Sequence, residues 1–396
     1  MRLSLRFAVT LVCSLSLASA ALADVDISAD KGLRFRFKEA DTTIHLGGRL
    51  HLDYAFFDDD LTPIDDDFDA RRARPMLEAE FGDDWKAKLE YDFARGRDGW
   101  RAAWIAWDGI DHVKVRLGNQ TMPFGLEEQE SSNDIVFNER SLASALAPAY
   151  GTGLAISGNG RLVGKSRFTL AGGVSMEPFG DSDYDRHGSD HLGFSGRATL
   201  APIARKRAVV QLGASFGYQN VGGDDSWSVS RRPESNVAPA LIGVGLSDIA
   251  STTTFGIEGA AMFGPVLLQA EYLKTGADRK SSSLLADADF DGAYAQLSWV
   301  VTGERHRYSK SLASFGGVEP RRDWGAVEIA VRFSTLDLTD SGVAGGEADD
   351  ITFGVSWWIR ENARLMFNYV NVDSRLSGTL LSDDPQIFAL RFVYHL

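Results

Sequence analysis

The chain has 396 residues, a formal net charge of -14 and 24% charged residues, with a mean hydropathy of -0.15. An acidic balance of that size argues against a nucleic-acid partner, and the low hydropathy excludes a bundle of membrane-spanning helices. The single cysteine, Cys13, excludes a disulfide framework and a cysteine metal site.

Met1 to Ala23 carries Arg2 and Arg6, an apolar stretch from Phe7 to Leu17, and Ala21-Leu22-Ala23 just before Asp24. That order is the pattern of a cleaved secretory signal, and its apolar core is shorter than the roughly 20 residues a spanning helix needs. Its removal takes Cys13 and leaves a net charge of -16. Residues 24–42 read as a periplasmic lead-in and 43–396 as one domain, because no Pro-rich or Ser-rich linker interrupts them.

From Thr43 onward the apolar residues recur with period two rather than 3.6. Ile44, Leu46, Leu50, Leu52, Tyr54 and Phe56 share one face, opposite His45, Arg49, His51 and Asp53. Ala73 to Phe81 and Trp85 to Phe93 repeat the pattern around a tight turn at Gly82-Asp83-Asp84 and predict a hairpin. Further strands are predicted at Trp100 to Trp107, Val113 to Gln120, Gly153 to Ser157, Arg167 to Val174, Leu192 to Leu200 and Ala208 to Tyr218. Thr253 to Phe263, Val266 to Leu273, Ala293 to Thr302, Trp324 to Ser334, Ile351 to Trp358, Arg364 to Val370 and Gln386 to Leu396 complete about 16.

This predicts an all-β fold, a transmembrane antiparallel β-barrel in a Gram-negative outer membrane, with loops folded into the lumen. Charge placement is the stricter test, since an Arg or Lys facing mid-bilayer costs roughly 2–4 kcal/mol. Arg49, Arg72, Arg74, Lys86, Lys88, Lys114, Arg116, Arg197, Arg332 and Arg391 all fall on the polar face of their strands. Connections alternate between short turns and long loops, except that Gly303 to Asp323, periplasmic by parity, is long. Acidic pairs such as Asp349-Asp350 and Asp224-Asp225 read as outer-loop ends.

Several stretches in order carry a resemblance. They are Phe68-Asp69-Ala70-Arg71-Arg72-Ala73-Arg74, Gly118-Asn119-Gln120-Thr121-Met122-Pro123-Phe124-Gly125-Leu126-Glu127-Glu128, Phe137-Asn138-Glu139-Arg140-Ser141-Leu142, Thr302-Gly303-Glu304-Arg305 and Gly354-Val355-Ser356-Trp357-Trp358. Together they resemble the phosphate-selective porin O and P family. The resemblance implies a homotrimer of sixteen-stranded barrels, with a third outer loop and a long periplasmic segment folded into each lumen. Gln120 to Thr152 and Gly303 to Asp323 fit those two segments.

If phosphate or polyphosphate passes, the wall must replace its hydration with charge-assisted hydrogen bonds, which a staircase of cations and a few hydroxyls would provide. The candidates are Arg72, Arg74, Lys86, Lys88 and Arg116 on strands, and Ser131, Ser132 and Arg140 on the third loop. Arg231 and Arg232 follow on the fifth outer loop, with Arg305, Arg307, Lys310, Arg321 and Arg322 on the periplasmic segment. A competing reading pairs Arg72 and Arg74 with wall carboxylates, has Arg140 pin the third loop, and places Arg231 and Arg232 at an exposed loop tip. Glu127, Glu128, Glu130 and Asp134 crowd Ser131-Ser132, which leaves open a general or weakly selective porin. A plugged structural or adhesive barrel is the other alternative.

No cofactor and no metal site is expected; His187 and His191 stand four apart in a Gly-containing loop rather than on a helix. No serine lies in a recognisable nucleophile elbow, so an enzyme is not expected. The implied partners are small anions, outer-membrane lipid and lipopolysaccharide, and further copies of the chain.

Overall fold

The computed structural model describes residues 25–29, 32–95, 99–176, 192–221, 226–379 and 381–396. The leader at 1–23, the histidines 187 and 191 and the acidic pair 224–225 lie outside them.

The chain opens on a small hairpin, β1 (Val25–Ser28) and β2 (Leu33–Phe37). The ring begins with β3 (Thr42–Asp58), β4 (Asp67–Phe81), β5 (Trp85–Tyr91), β6 (Trp100–Ile110) and β7 (Val113–Thr121). It continues through β8 (Tyr150–Arg161), β9 (Arg167–Met176), β10 (Gly193–Arg205) and β11 (Ala208–Asn220). After a loop hairpin, β12 (Trp227–Arg231) and β13 (Ile242–Leu246), come β14 (Ile249–Phe263), β15 (Val266–Arg279) and β16 (Ala288–Val300). A second hairpin, β17 (His306–Ser309) and β18 (Ser314–Val318), precedes β19 (Ala326–Asp340), β20 (Val343–Arg360), β21 (Ala363–Arg375) and β22 (Gln386–His395).

Among the described residues, 16 of these strands close one antiparallel barrel. The ring shuts where β22 pairs with β3, from Gln386 opposite Asp58 to His395 opposite Arg49. The leading hairpin sits on the same edge of β3, with β2 pairing Thr42 to Leu46 just beyond the end of β22. Closure needs glycine there. A Cβ on Gly47 would lie 2.6 Å from the Leu396 carbonyl oxygen, and one on Gly48 would lie 2.6 Å from that of Arg74.

Polarity is inverted relative to a water-soluble fold. Ile257 and Leu212 are 63% and 60% exposed, whereas Arg332, Arg364 and Arg391 are each 1% exposed. A sandwich would bury its apolar face, so this pattern fits only a cylinder wrapped in hydrocarbon. Exposed aromatics collect near the turns as Phe81, Trp85, Phe263, Trp299, Trp324, Trp357 and Tyr394, and near the opposite rim as Tyr54, Phe56, Phe68, Phe194 and Phe255. Two such girdles mark the membrane interfaces.

Three predicted features are corrected. The strand expected at Gly153 to Ser157 runs over all of β8, because Gly151, Gly153, Gly158 and Gly160 hide its alternation. Asp349 and Asp350 are not in a loop: β19 and β20 meet at a tight turn, Ser341-Gly342 with Gly342 at φ +80, so the strand extends through them and Asp350 is buried. The two hairpins in the connections, β12–β13 and β17–β18, were not anticipated, since each is too short to show a period.

Candidate functional site: an eyelet between the third loop and one wall

The loop joining β7 to β8 turns inward at Gly125, whose φ of +58 suits glycine. A side chain there would also meet Glu271, since a Cβ would lie 2.9 Å from its Oε1. The Glu271 carboxylate on β15 accepts the backbone N–H groups of Leu126 and Glu127 at 2.6 and 2.8 Å, and Ser215 accepts that of Gly125 at 3.0 Å. Phe124, Leu142 and Leu146 of the loop then pack with Leu273, Phe290 and Leu336 of the wall and Ile242, Val244 and Leu246 of β13. One side of the lumen is thereby filled with apolar core, and the open path is pushed against β3 to β9.

Buried arginines hold the rest of the loop. Arg364 donates to the Ile135 and Val136 carbonyls at 2.6 and 2.8 Å. Arg332 donates to Glu127 at 3.3 Å and also pairs with Glu234 of the β12–β13 connection. Arg140 donates to the Glu127 and Glu130 carbonyls, both at 3.0 Å, and pairs with Glu128 at 3.3 Å. Each guanidinium carries several donors in a fixed fork, which suits it to tie a non-helical loop whose carbonyls would otherwise be orphaned. The β17–β18 hairpin rises from the other end: Arg197 donates to the Leu312 and Ala313 carbonyls at 2.6 and 2.8 Å. It meets the third loop where the Phe315 N–H donates to Glu130 at 3.2 Å.

What remains is an eyelet of about 520 Å³. Arg49, Arg71, Arg72, Arg74, Lys88, Arg101, Arg116 and Arg140 line it, against Glu90, Glu128 and Glu130, with Ser131, Ser132 and Tyr150. Glu90 is shared by Arg49 at 3.1 Å, Arg74 at 3.5 Å and Lys88 at 3.6 Å. Burial pushes the Glu130 carboxyl well above the usual carboxylate range, and it accepts from Gln269 at 2.7 Å. Of the other acids of the third loop, Glu127 pairs with Arg332, Glu128 with Arg140 and Asp134 with Arg307.

Three cations of the eyelet have no carboxylate partner among the described residues. Arg72 reaches only His51 Nδ1, at 3.2 Å, and its Nε is unpaired. Arg101 lies over the Tyr150 ring at 5.4 Å with Nε and Nη2 unpaired, and Arg116 over Trp104 at 4.7 Å with Nε unpaired. Arg71 also borders a second chamber, of about 550 Å³, that touches Asp69, Glu139, Arg231 and Arg232. Toward the periplasm the eyelet narrows to a cavity of about 50 Å³ beside Lys114, Arg116 and Arg197.

Of the residues selected from sequence, Arg72, Arg74, Lys88, Arg116, Ser131, Ser132 and Arg140 share this cavity. Arg74 is bound to Asp92 at 2.7 Å, the wall pairing that was the competing reading, while Arg72 is not so paired. Lys86 lies nearer the turn, 3.2 Å from Glu80, outside the eyelet. Arg231 is no loop tip, because it donates to the Arg140 and Ser141 carbonyls and pins the third loop. Arg232 is exposed and donates to the Asn236 carbonyl.

The periplasmic cations do not line the eyelet, because the hairpin presents Leu312 to it. Arg305 donates to the His306 carbonyl, Arg307 pairs with Glu361, and Arg322 pairs with Glu304 at 3.1 Å. Lys310 and Arg321 are exposed outside it.

Arg49, Arg71, Arg101 and Tyr150 were missed. Arg49 stands on the polar parity of β3 and was legible. Arg71 and Arg101 were not, since each is the extra residue of a bulge. Between His51 opposite Arg72 and Asp53 opposite Asp69, β4 holds one residue more than β3. Between Glu90 opposite Ala102 and Tyr91 opposite Trp100, β6 does the same. A bulge lets two successive residues face one side, so each brings an arginine inward against the alternation.

A closed barrel, apolar outside and loaded within by inward-folded loops around a cationic eyelet, is an outer-membrane porin. The sequence profile of the phosphate-selective porin O and P family matches residues 44–396, and the chain belongs to that family. It is 28% identical to Porin O of Pseudomonas aeruginosa, over 94% of this chain and 92% of that one. Among solved structures it is similar to a loop-deletion mutant of OmpT, an outer membrane protein of Vibrio cholerae, with a TM-score of 0.55 and 12% identity over 90% of this chain and 99% of that one. An anion-selective porin from Comamonas acidovorans gives 0.53 and 14% over 90% and 100%. At such identities the likeness to solved structures is one of fold.

Proposed function

We propose that the eyelet selects phosphate and related small anions, polyphosphate included, as they diffuse passively through the outer membrane. The observation that carries this reading is that Arg72, Arg101 and Arg116, which have no carboxylate partner among the described residues, line one cavity with Ser131 and Ser132. A partly dehydrated phosphate needs several charge-assisted hydrogen bonds, each worth about 1.5–3 kcal/mol, and donors already spent on carboxylates cannot supply them. A pore must also release its solute, and the shared Glu90 limits the depth of the well. The relative named Porin O and the family description point the same way.

The working form we propose is a trimer, the form in which OmpT of Vibrio cholerae is described, with residues 1–23 removed on export. Lipopolysaccharide is proposed to contact the acidic outer ends of the loops through bridging divalent cations, and no catalytic step is assigned to the barrel. The test is the reversal potential in a chloride gradient across a planar bilayer, with phosphate titrated in. Anion preference with block by phosphate supports the reading; cation preference, or chloride current indifferent to phosphate, sinks it.

A further inference from the structure

A further cavity of different chemistry borders the eyelet. At Arg101, Ala149 and Tyr150 the eyelet adjoins this cavity, of about 330 Å³, behind the third loop. Among the described residues, Arg101 is the one charged residue lining that cavity, and no carboxylate does. The wall strands turn hydroxyls into it, from Ser175 on β9, Ser195 on β10, and Thr252 and Thr254 on β14. Trp227, stacked on Phe290 with ring centroids 5.7 Å apart, closes the loop side.

A row of cations that ends at the mouth of an uncharged, hydroxyl-lined chamber suits a solute with one anionic end and one neutral polar end. An inorganic polyphosphate would leave its charge unmatched there, since desolvated anions need paired donors. Arg101 stands at the boundary, over the Tyr150 ring at 5.4 Å and without a carboxylate partner among the described residues. The Ser195 hydroxyl is without a hydrogen-bond partner. Aromatic surface beside hydroxyl-bearing side chains is the environment a polyol group fits, by stacking its C–H faces and exchanging hydrogen bonds.

We infer that this channel takes phosphate monoesters of small polyols as well as free phosphate, the ester's phosphate lying at Arg101 in the eyelet and its hydroxylated carbon chain in the chamber behind the third loop. The inference rests on the anion reading of the eyelet. It extends the substrate class from inorganic anions to organic phosphates.

The experiment compares block of chloride current by inorganic phosphate and by glycerol 3-phosphate in planar bilayers, using the assembled protein. Ser195→Leu fills the chamber without orphaning a partner. It should raise the half-blocking concentration of the ester about tenfold, the loss of one to two ordinary hydrogen bonds, and leave that of phosphate within about twofold. Thr252→Val, nearly isosteric, should act in the same direction more weakly and serves if Ser195→Leu fails to assemble. Equal shifts for both solutes, or none for the ester, overturn the inference. Absence of block by phosphate with block by the ester retained sinks the free-phosphate reading alone, and absence of both sinks the two together.

Discussion

Arg391 on β22 faces Asp53 on β3 across the seam where the last strand meets the first, and donates to both carboxylate oxygens, at 2.6 and 2.5 Å. The same guanidinium reaches Glu139 of the third loop at 2.5 Å. One residue therefore joins barrel closure to loop placement. Burial works to raise the Glu139 carboxyl, but Arg71 and Arg391 hold it well below the usual carboxylate range.

Breaking that pair should cost more than its surface counterparts. Arg391→Ala leaves Asp53 and Glu139 uncompensated in a buried setting, and such losses run to about 3–5 kcal/mol. The heat-induced unfolding of the barrel in detergent should fall accordingly. On the neighbouring lipid-facing position, Leu390→Arg should cost about 2–4 kcal/mol and impair assembly. Equal tolerance of both changes would refute the facing of β22.

Arg72 and Arg74 stand two apart on one wall but should behave differently. Arg74 neutralises Asp92, which is 0% exposed, so Arg74→Ala should destabilise by about 3–5 kcal/mol. Arg72 has no carboxylate and sits among other cations, so Arg72→Ala should change stability by about 1 kcal/mol or less. Its reversal potential should nonetheless move toward cations. An unchanged reversal potential would remove Arg72 from the selectivity set.

His306 on the inserted hairpin predicts a pH dependence. Burial lowers its pKa, but Glu328 at 2.7 Å outweighs burial and raises the imidazole above its ordinary 6.5. A raised imidazole contributes its full stability below the unfolded value and loses it as pH rises through the folded one. The hairpin should loosen as pH rises from below the ordinary 6.5 through the raised folded value, seen as a lower thermal transition or greater current noise, and His306→Gln should abolish the difference. A pH-independent transition in the unaltered protein would refute the ion pair.

Gly47→Val should prevent closure, because its Cβ would meet the Leu396 carbonyl oxygen at 2.6 Å. Gly245→Val, in a loop hairpin with open space around the new Cβ, serves as control. Heat-modifiable migration on gels should be lost for the first and kept for the second.

The barrel was legible because each strand must satisfy lipid and water at once, and that demand is written in residues two apart. Leu50, Leu52 and Tyr54 against Arg49, His51 and Asp53 carry it without reference to any other strand. The same local pattern put Arg72, Arg74, Lys88 and Arg116 on the lumen side, and loop lengths singled out the segments that fold inward.

The position of those segments depends on partners far along the chain. Arg364 and Ile135, 229 residues apart, set the third loop through one hydrogen bond, and nothing near either residue announces the other. Arg71 and Arg101 face inward because a neighbouring strand is one residue shorter at that level, a property of the pairing and not of their own segments. Alternation is thus a local consequence of two solvents, whereas the division of the lumen into apolar core, cationic eyelet and neutral chamber arises from contacts that exist once the cylinder has closed.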